Sequence, residues 1–177
     1  KKGNCTKCGS CIRYCPAGAI EMTGDGAQID SDKCTGCGQC LMVCTYHAVK
    51  IKWDMDFSEA QKRTAEYAWG VHKNKKGKIW YFNFLFDITP ECDCYPYSDS
   101  PLVSDIGILA STDPVSIDRA SYELVKAAPA LNNSKAEGMK EGEDKFKGGH
   151  PKTNPEPIFK HAEKMGLGED DYELIEI

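Results

Sequence analysis

The stretch NCTKCGSCIRYCPAGAI, residues 4–20, is answered 29 positions later by KCTGCGQCLMVCTYHAV, residues 33–49, with every cysteine in register. Cys5, Cys8, Cys11 and Cys15 are spaced C-x2-C-x2-C-x3-C, and Cys34, Cys37, Cys40 and Cys44 repeat the pattern. A cubane iron–sulfur cluster takes three thiolates from a short tight loop and a fourth from elsewhere, and in two-cluster runs the fourth cysteine serves the other cluster. That rule assigns Cys5, Cys8, Cys11 and Cys44 to one 4Fe-4S cluster, and Cys34, Cys37, Cys40 and Cys15 to a second. Gly9, Gly36 and Gly38 supply the backbone freedom such loops need. The alternatives are two zinc ions, which would favour paired C-x2-C knuckles with longer gaps, and a disulfide scaffold.

Residues 4–53 resemble the bacterial two-cluster ferredoxins. Each fourth cysteine is followed by a segment with strand character, AIEM at 19–22 and AVKI at 48–51, so each repeat reads as loop, helical turn and strand. One departure bears on redox chemistry: Pro16 follows Cys15, but Thr45 follows Cys44. Threonine keeps an N–H and adds a hydroxyl that could bond a cluster sulfur, which would make the two potentials unequal. His47 stands where the first repeat has Gly18, and is expected to be a partly exposed loop histidine because all four ligand positions are filled.

The 177-residue chain carries a formal net charge of -5 and a mean hydropathy of -0.50. Such a balance argues against nucleic-acid binding. The longest apolar run, IWYFNFLFDI at 79–88, is too short to cross a bilayer. The motif begins at residue 5 with no methionine ahead of it, so the chain is expected to be cut at its front end. Oxygen-sensitive clusters and the lack of an export signal point to a reducing cytoplasm, most plausibly of an anaerobic microbe.

The expected fold is α+β: a ferredoxin-like two-cluster module over residues 1–53, then an α/β layer domain over 54–177, incomplete on its N-terminal side. Ser58 and Gln61 form a capping-box pattern ahead of a helix at about 59–71, whose Ala60, Thr64, Ala65 and Ala68 make a face of small side chains. KNKKGK at 73–78 reads as a solvated turn. The run at 79–88 is apolar on both faces, as in a parallel-sheet strand covered by helices. A second strand is expected at 105–111, leading into a helix capped by Asp113 with Pro114 in its first turn and Ile117, Leu124 and Val125 as its stripe. Residues 132–157 read as a polar excursion with little core, followed by a short helix ending at Gly166 and a closing strand, YELIEI.

Between the two strands, Cys92 and Cys94 are two apart and would project to one side of an extended segment. They are half of a metal site or redox pair, with His72 as a conceivable further ligand, or else buried structural thiols. Glu91 and Asp93 beside them would raise the thiol pKa. Asp87 and Asp105 lie at strand ends, where carboxylates line a crevice or cap turns; Asp99, Asp113 and Asp118 read as turn and helix-start residues.

The sequence from FNFLFDITPECDCYPYSDSPLVSD through IGILASTDPVSIDRASYELV, with the GLG and YEL end, resembles domain of unknown function 362. That resemblance implies a two-cluster ferredoxin segment inside a larger α/β domain, of which a stretch normally ahead of the cysteines is absent here. It brings no assigned reaction. The expected function is one-electron relay by two 4Fe-4S clusters to redox partner proteins. The alternatives are a reductase or reductive activator with a site near Cys92, Cys94, Asp87 and Asp105, and a docking subunit of a larger oxidoreductase complex. No nucleic-acid or membrane partner is expected.

Overall fold

In the computed structural model, residues 2–51, 57–75, 77–92 and 96–177 are described, and the chain divides into two compact units, Lys1–Met55 and Asp56–Ile177. The expected module end at residue 53 lies outside the described residues.

Tight turns, more than a core, shape the first unit. Helical turns α1 (Ser10–Arg13) and α2 (Gln39–Val43) are each entered through a left-handed glycine, Gly9 at φ 78° and Gly38 at φ 75°. The repeats match bond for bond: Ile12 N donates to Gly9 O at 3.1 Å, and Leu41 N to Gly38 O at 2.9 Å. After the first repeat, β1 (Ile20–Thr23) turns through Gly24 and Asp25 and pairs antiparallel with β2 (Gly26–Ile29). The expected strand at 48–51 does not form, and no partner strand faces it among the described residues. Of this unit's described apolar residues only Cys11, Ala19 and Ile20 are buried.

In the second unit, α3 (Ser58–His72) starts one residue earlier than expected, from Phe57 and without a side-chain cap. The capping box is not formed: Gln61 Nε2 donates to the Asn154 carbonyl at 2.9 Å instead. Nor is the small-residue face the packed one, because Ala60, Thr64 and Ala68 are exposed while Gln61, Ala65, Trp69 and His72 turn inward at helical spacing.

Strands β3 (Tyr81–Leu85) and β4 (Gly107–Ser111) pair antiparallel, with Phe82 opposite Ala110 and Phe84 opposite Ile108. The expectation of a strand buried on both sides in a parallel sheet is therefore wrong. A parallel pair needs a crossover, commonly a helix, and the described residues of the link between these strands form none. The period-2 alternation then decides the faces: Leu85 is buried on the side covered by α4, while Phe82, Phe84 and Ile108 stay open.

Helix α4 (Pro114–Ala127) forms where expected, with Leu124 of the expected stripe only half-buried. Asp113 accepts from Val115 N at 2.8 Å and Ser116 N at 3.0 Å, and Val115, Ile117, Ala120 and Val125 are buried. It joins two cores: Val115 packs with Ala65, Phe159, Ala162 and Leu167, whereas Val125 packs with Leu102, Val103 and Ala136. Apart from a 3-10 turn at Lys145–Gly148 and the start of the next helix, the 132–157 segment is irregular, yet it is no coreless excursion. Ala136 is fully buried, and so is Lys145, whose ammonium donates to the carbonyls of Lys126, Lys140 and Glu143 at 2.7–2.9 Å. Three main-chain carbonyls as partners let this charged side chain staple the segment from within. Helix α5 (Glu156–Lys164) ends through Gly166 at φ 72°, with Leu167 N donating to Ala162 O at 3.0 Å, as the sequence implied. The expected closing strand is absent: residues 172–177 join no sheet and are exposed.

Candidate metal centre

Thiols from both repeats converge on one cavity. Cys5, Cys8 and Cys11 arrive from the loop that runs into α1, and Cys44 from the end of α2; with Met22 and Tyr46 they border a space of about 120 Å³. This is the first set grouped by the spacing rule. In the second repeat Cys34 and Cys37 lie close enough to Cys40 to act on its ionisation. None of the nine described cysteines is in a disulfide.

Two further matches bind the repeats into one design. Ala19 N donates to Cys15 Sγ and Ala48 N donates to Cys44 Sγ, both at 3.3 Å. The two cysteines that follow the triplets thus sit in the same amide environment. Such donors stabilise negative charge on sulfur and so favour metal thiolates.

Four of the thiols are shifted, in two opposite directions. Hydrogen bonding with the Ser10 backbone and with its hydroxyl, 3.5 Å away, holds exposed Cys8 below the ordinary thiol range, and the amides of Val49, Ala48 and Tyr46 do the same for Cys44. The donors at Cys44 are therefore residues beyond Thr45, which is itself exposed. Burial pushes Cys11 up, with Cys44 and Cys5 adding to it, and likewise pushes up Cys40 beside Cys34 and Cys37. A bound cation overrides such burial by deprotonating the thiol outright.

Gly26, the first residue of β2, completes the fit. A Cβ there would come within 3.0 Å of Cys5 Cβ and 3.1 Å of its Sγ. Sequence reading missed this contact, since the only local signal was the Gly24-Asp25 turn. Four thiols from two loops, two of them with lowered affinity for protons, and a backbone trimmed to admit a cysteine fit an iron–sulfur cluster.

The other candidates are not brought together. Cys92 is exposed, contrary to a buried structural thiol, while Asp93 and Cys94 lie outside the described residues. His72 is buried with Nδ1 2.8 Å from the Tyr81 hydroxyl. Asp105 Oδ1 accepts from Asp87 N at 3.0 Å, which supports Asp87 at φ 47°; both are exposed turn residues. Asp113 is a helix cap, Asp99 Oδ1 accepts from Ser100 N at 2.8 Å, and Asp118 accepts from Asn83 Nδ2 at 2.8 Å. Neither the thiol cavity nor the groove between β4 and the chain end is bordered by Cys92, Asp87 or Asp105. Among the described residues no group of three Cys, His, Asp or Glu side chains closes on a single ion.

Helices and two small antiparallel sheets make the fold α+β. A family model described as a 4Fe-4S dicluster domain matches residues 4–48. A second, described as Domain of unknown function (DUF362), matches residues 30–123, more than half of the chain, and the protein belongs to that family. No curated protein and no solved structure matches it. No described helix is long and apolar enough to cross a membrane.

Proposed function

We propose that the chain is an electron carrier built on two 4Fe-4S clusters, one held by Cys5, Cys8, Cys11 and Cys44 and the other by Cys34, Cys37, Cys40 and Cys15. The observation that carries this reading is the cavity bordered by three thiols of one repeat and the last thiol of the other. When bound, such clusters accept and release single electrons at low potential. The chain's own part is to supply thiolates and direct amides at sulfur: Ala48 at Cys44 and Ala19 at Cys15. Its electrons pass to and from redox partner proteins, and the net charge of -5 favours partners with a basic docking face.

Ligand exchange between the repeats is the testable core. Cys44→Ser should alter the cluster served by Cys5, Cys8 and Cys11, and Cys15→Ser the one served by Cys34, Cys37 and Cys40, each visible as one changed signal in EPR of reduced protein. If Cys44→Ser and Cys34→Ala disturb the same signal, the crossed assignment is wrong.

A second reading, in which the chain docks onto a larger oxidoreductase, is favoured by the open face of the β3–β4 sheet. Trp80, Phe82, Phe84, Phe86 and Ile108 are 43–66% exposed there. Helix α4 covers the other face, and an apolar sheet face calls for a second layer, here an apolar surface of a partner subunit. Isolated protein should bind a hydrophobic dye, and Phe84→Glu should abolish that binding while iron content stays unchanged. Dye binding equal in the two proteins would count against this reading.

A further inference from the structure

Two copies of one motif are surrounded differently. A β-hairpin stands beside the first set of cysteines, whereas residues 48–51 of the second repeat form no strand. Two contacts tie that hairpin to the first cysteine loop. Lys7, between Cys5 and Cys8, donates from Nζ to the Gly24 carbonyl in the hairpin turn at 2.7 Å. Gly26, opposite Thr23 at the end of the same turn, lies so close to Cys5 that a Cβ would press on its Cβ at 3.0 Å and its Sγ at 3.1 Å.

Backbone conformation shows that both residues are specified. Gly26 has φ 118°, which side-chain-bearing residues rarely adopt. Lys7 is itself left-handed at φ 58°, and its counterpart in the second repeat is Gly36 at φ 72°. A lysine thus stands where the backbone favours glycine, and its ammonium reaches the hairpin.

We infer that the β1–β2 hairpin is a clasp for the first cysteine set, with Gly26 and Lys7 as positioning residues that keep Cys5 in line with Cys8, Cys11 and Cys44. Ligands braced by a hairpin in the loaded protein open less readily, so the site they form releases metal more slowly. Lys7 anchors the turn, the turn sets Gly26, and Gly26 seats Cys5. The second set has no such hairpin among the described residues, so the two sites differ in how firmly their ligands are braced.

This inference rests on the iron–sulfur reading, and wild-type protein free of iron and sulfide would sink that reading before any variant is compared. With wild type at about eight iron per chain, Gly26→Ala is expected to hold about four and to lose one of two EPR signals on reduction. Gly24→Ala is the control, since a Cβ at that neighbouring turn position meets nothing within 4 Å; it should keep wild-type iron. Lys7→Gly relieves the backbone and removes the anchor, so it should fold and load fully, yet give up half of its iron to a chelator several-fold faster than wild type. Gly26→Ala with wild-type iron and signals, or Gly26→Ala and Gly24→Ala losing iron alike, overturns the clasp. Lys7→Gly releasing iron at the wild-type rate overturns it as well.

Discussion

His47 holds in the second repeat the position of Gly18 in the first, and both backbones are left-handed, at φ 50° and 58°. Each closes onto the preceding cysteine: His47 N donates to Cys44 O at 3.0 Å and Gly18 N to Cys15 O at 3.2 Å. The imidazole is exposed, as the sequence implied, so the position serves the turn and the side chain works against it. His47→Gly should therefore raise the stability of the loaded protein by about 0.5–1 kcal/mol, read as a higher Tm with unchanged iron; a lower Tm would mean that the imidazole contributes a contact of its own. Gly168 poses the opposite case. A Cβ there would overlap Asp113 Oδ1, the atom that caps α4, and Asp113 Oδ2 accepts from Glu169 N at 2.9 Å. Gly168→Ala should cost about 1–3 kcal/mol through a displaced cap, measured by denaturant unfolding; a cost near zero would show that the turn shifts freely. At this scale the cysteines proposed as ligands stood out because their spacing is itself the chemistry. Gly26, Lys7 and Gly168 were not, because each acts on a residue distant in sequence, which only the folded chain brings near.

Helix α4 could be read from its own residues, since cap, first-turn proline and apolar stripe all lie within it. What it binds could not. Arg119 donates to both carboxylate oxygens of Glu156 on α5 and to Asp170 beyond it, and its guanidinium lies 4.0 Å from the centre of the Phe159 ring. Bonds from Arg119 hold the Glu156 carboxyl below its ordinary value of 4.5. A depressed acid contributes stability that is present above its unfolded value and lost as pH falls through the folded one. The window thus opens below pH 4.5, and water screening of the 43% exposed glutamate keeps the effect small. Unfolding midpoints should fall less steeply on acidification in Glu156→Gln than in wild type; parallel curves would remove this pair from the acid response. The sheet was misread for a related reason. Apolarity on both faces of 79–88 signals burial on both sides only when both sides are covered, and strand propensity in YELIEI yields a strand only where an edge accepts it.

The two units are built on different terms. The second has two packed cores joined by α4, whereas the first buries Cys11, Ala19 and Ile20 and little else among its described apolar residues. So few buried apolar groups cannot offset the entropy of ordering such a chain, which leaves metal binding to supply its folding energy. Removing iron with a chelator should unfold residues 1–55 while 56–177 keep their structure, seen as amide exchange that rises over the first unit alone; equal protection before and after would show a unit that folds without metal. The central claim is the cofactor itself, and the most direct test is iron, zinc and acid-labile sulfide per chain in protein prepared without oxygen. About eight iron and eight sulfide, with no zinc, is the predicted result, whereas zinc without sulfide would contradict the account at its base.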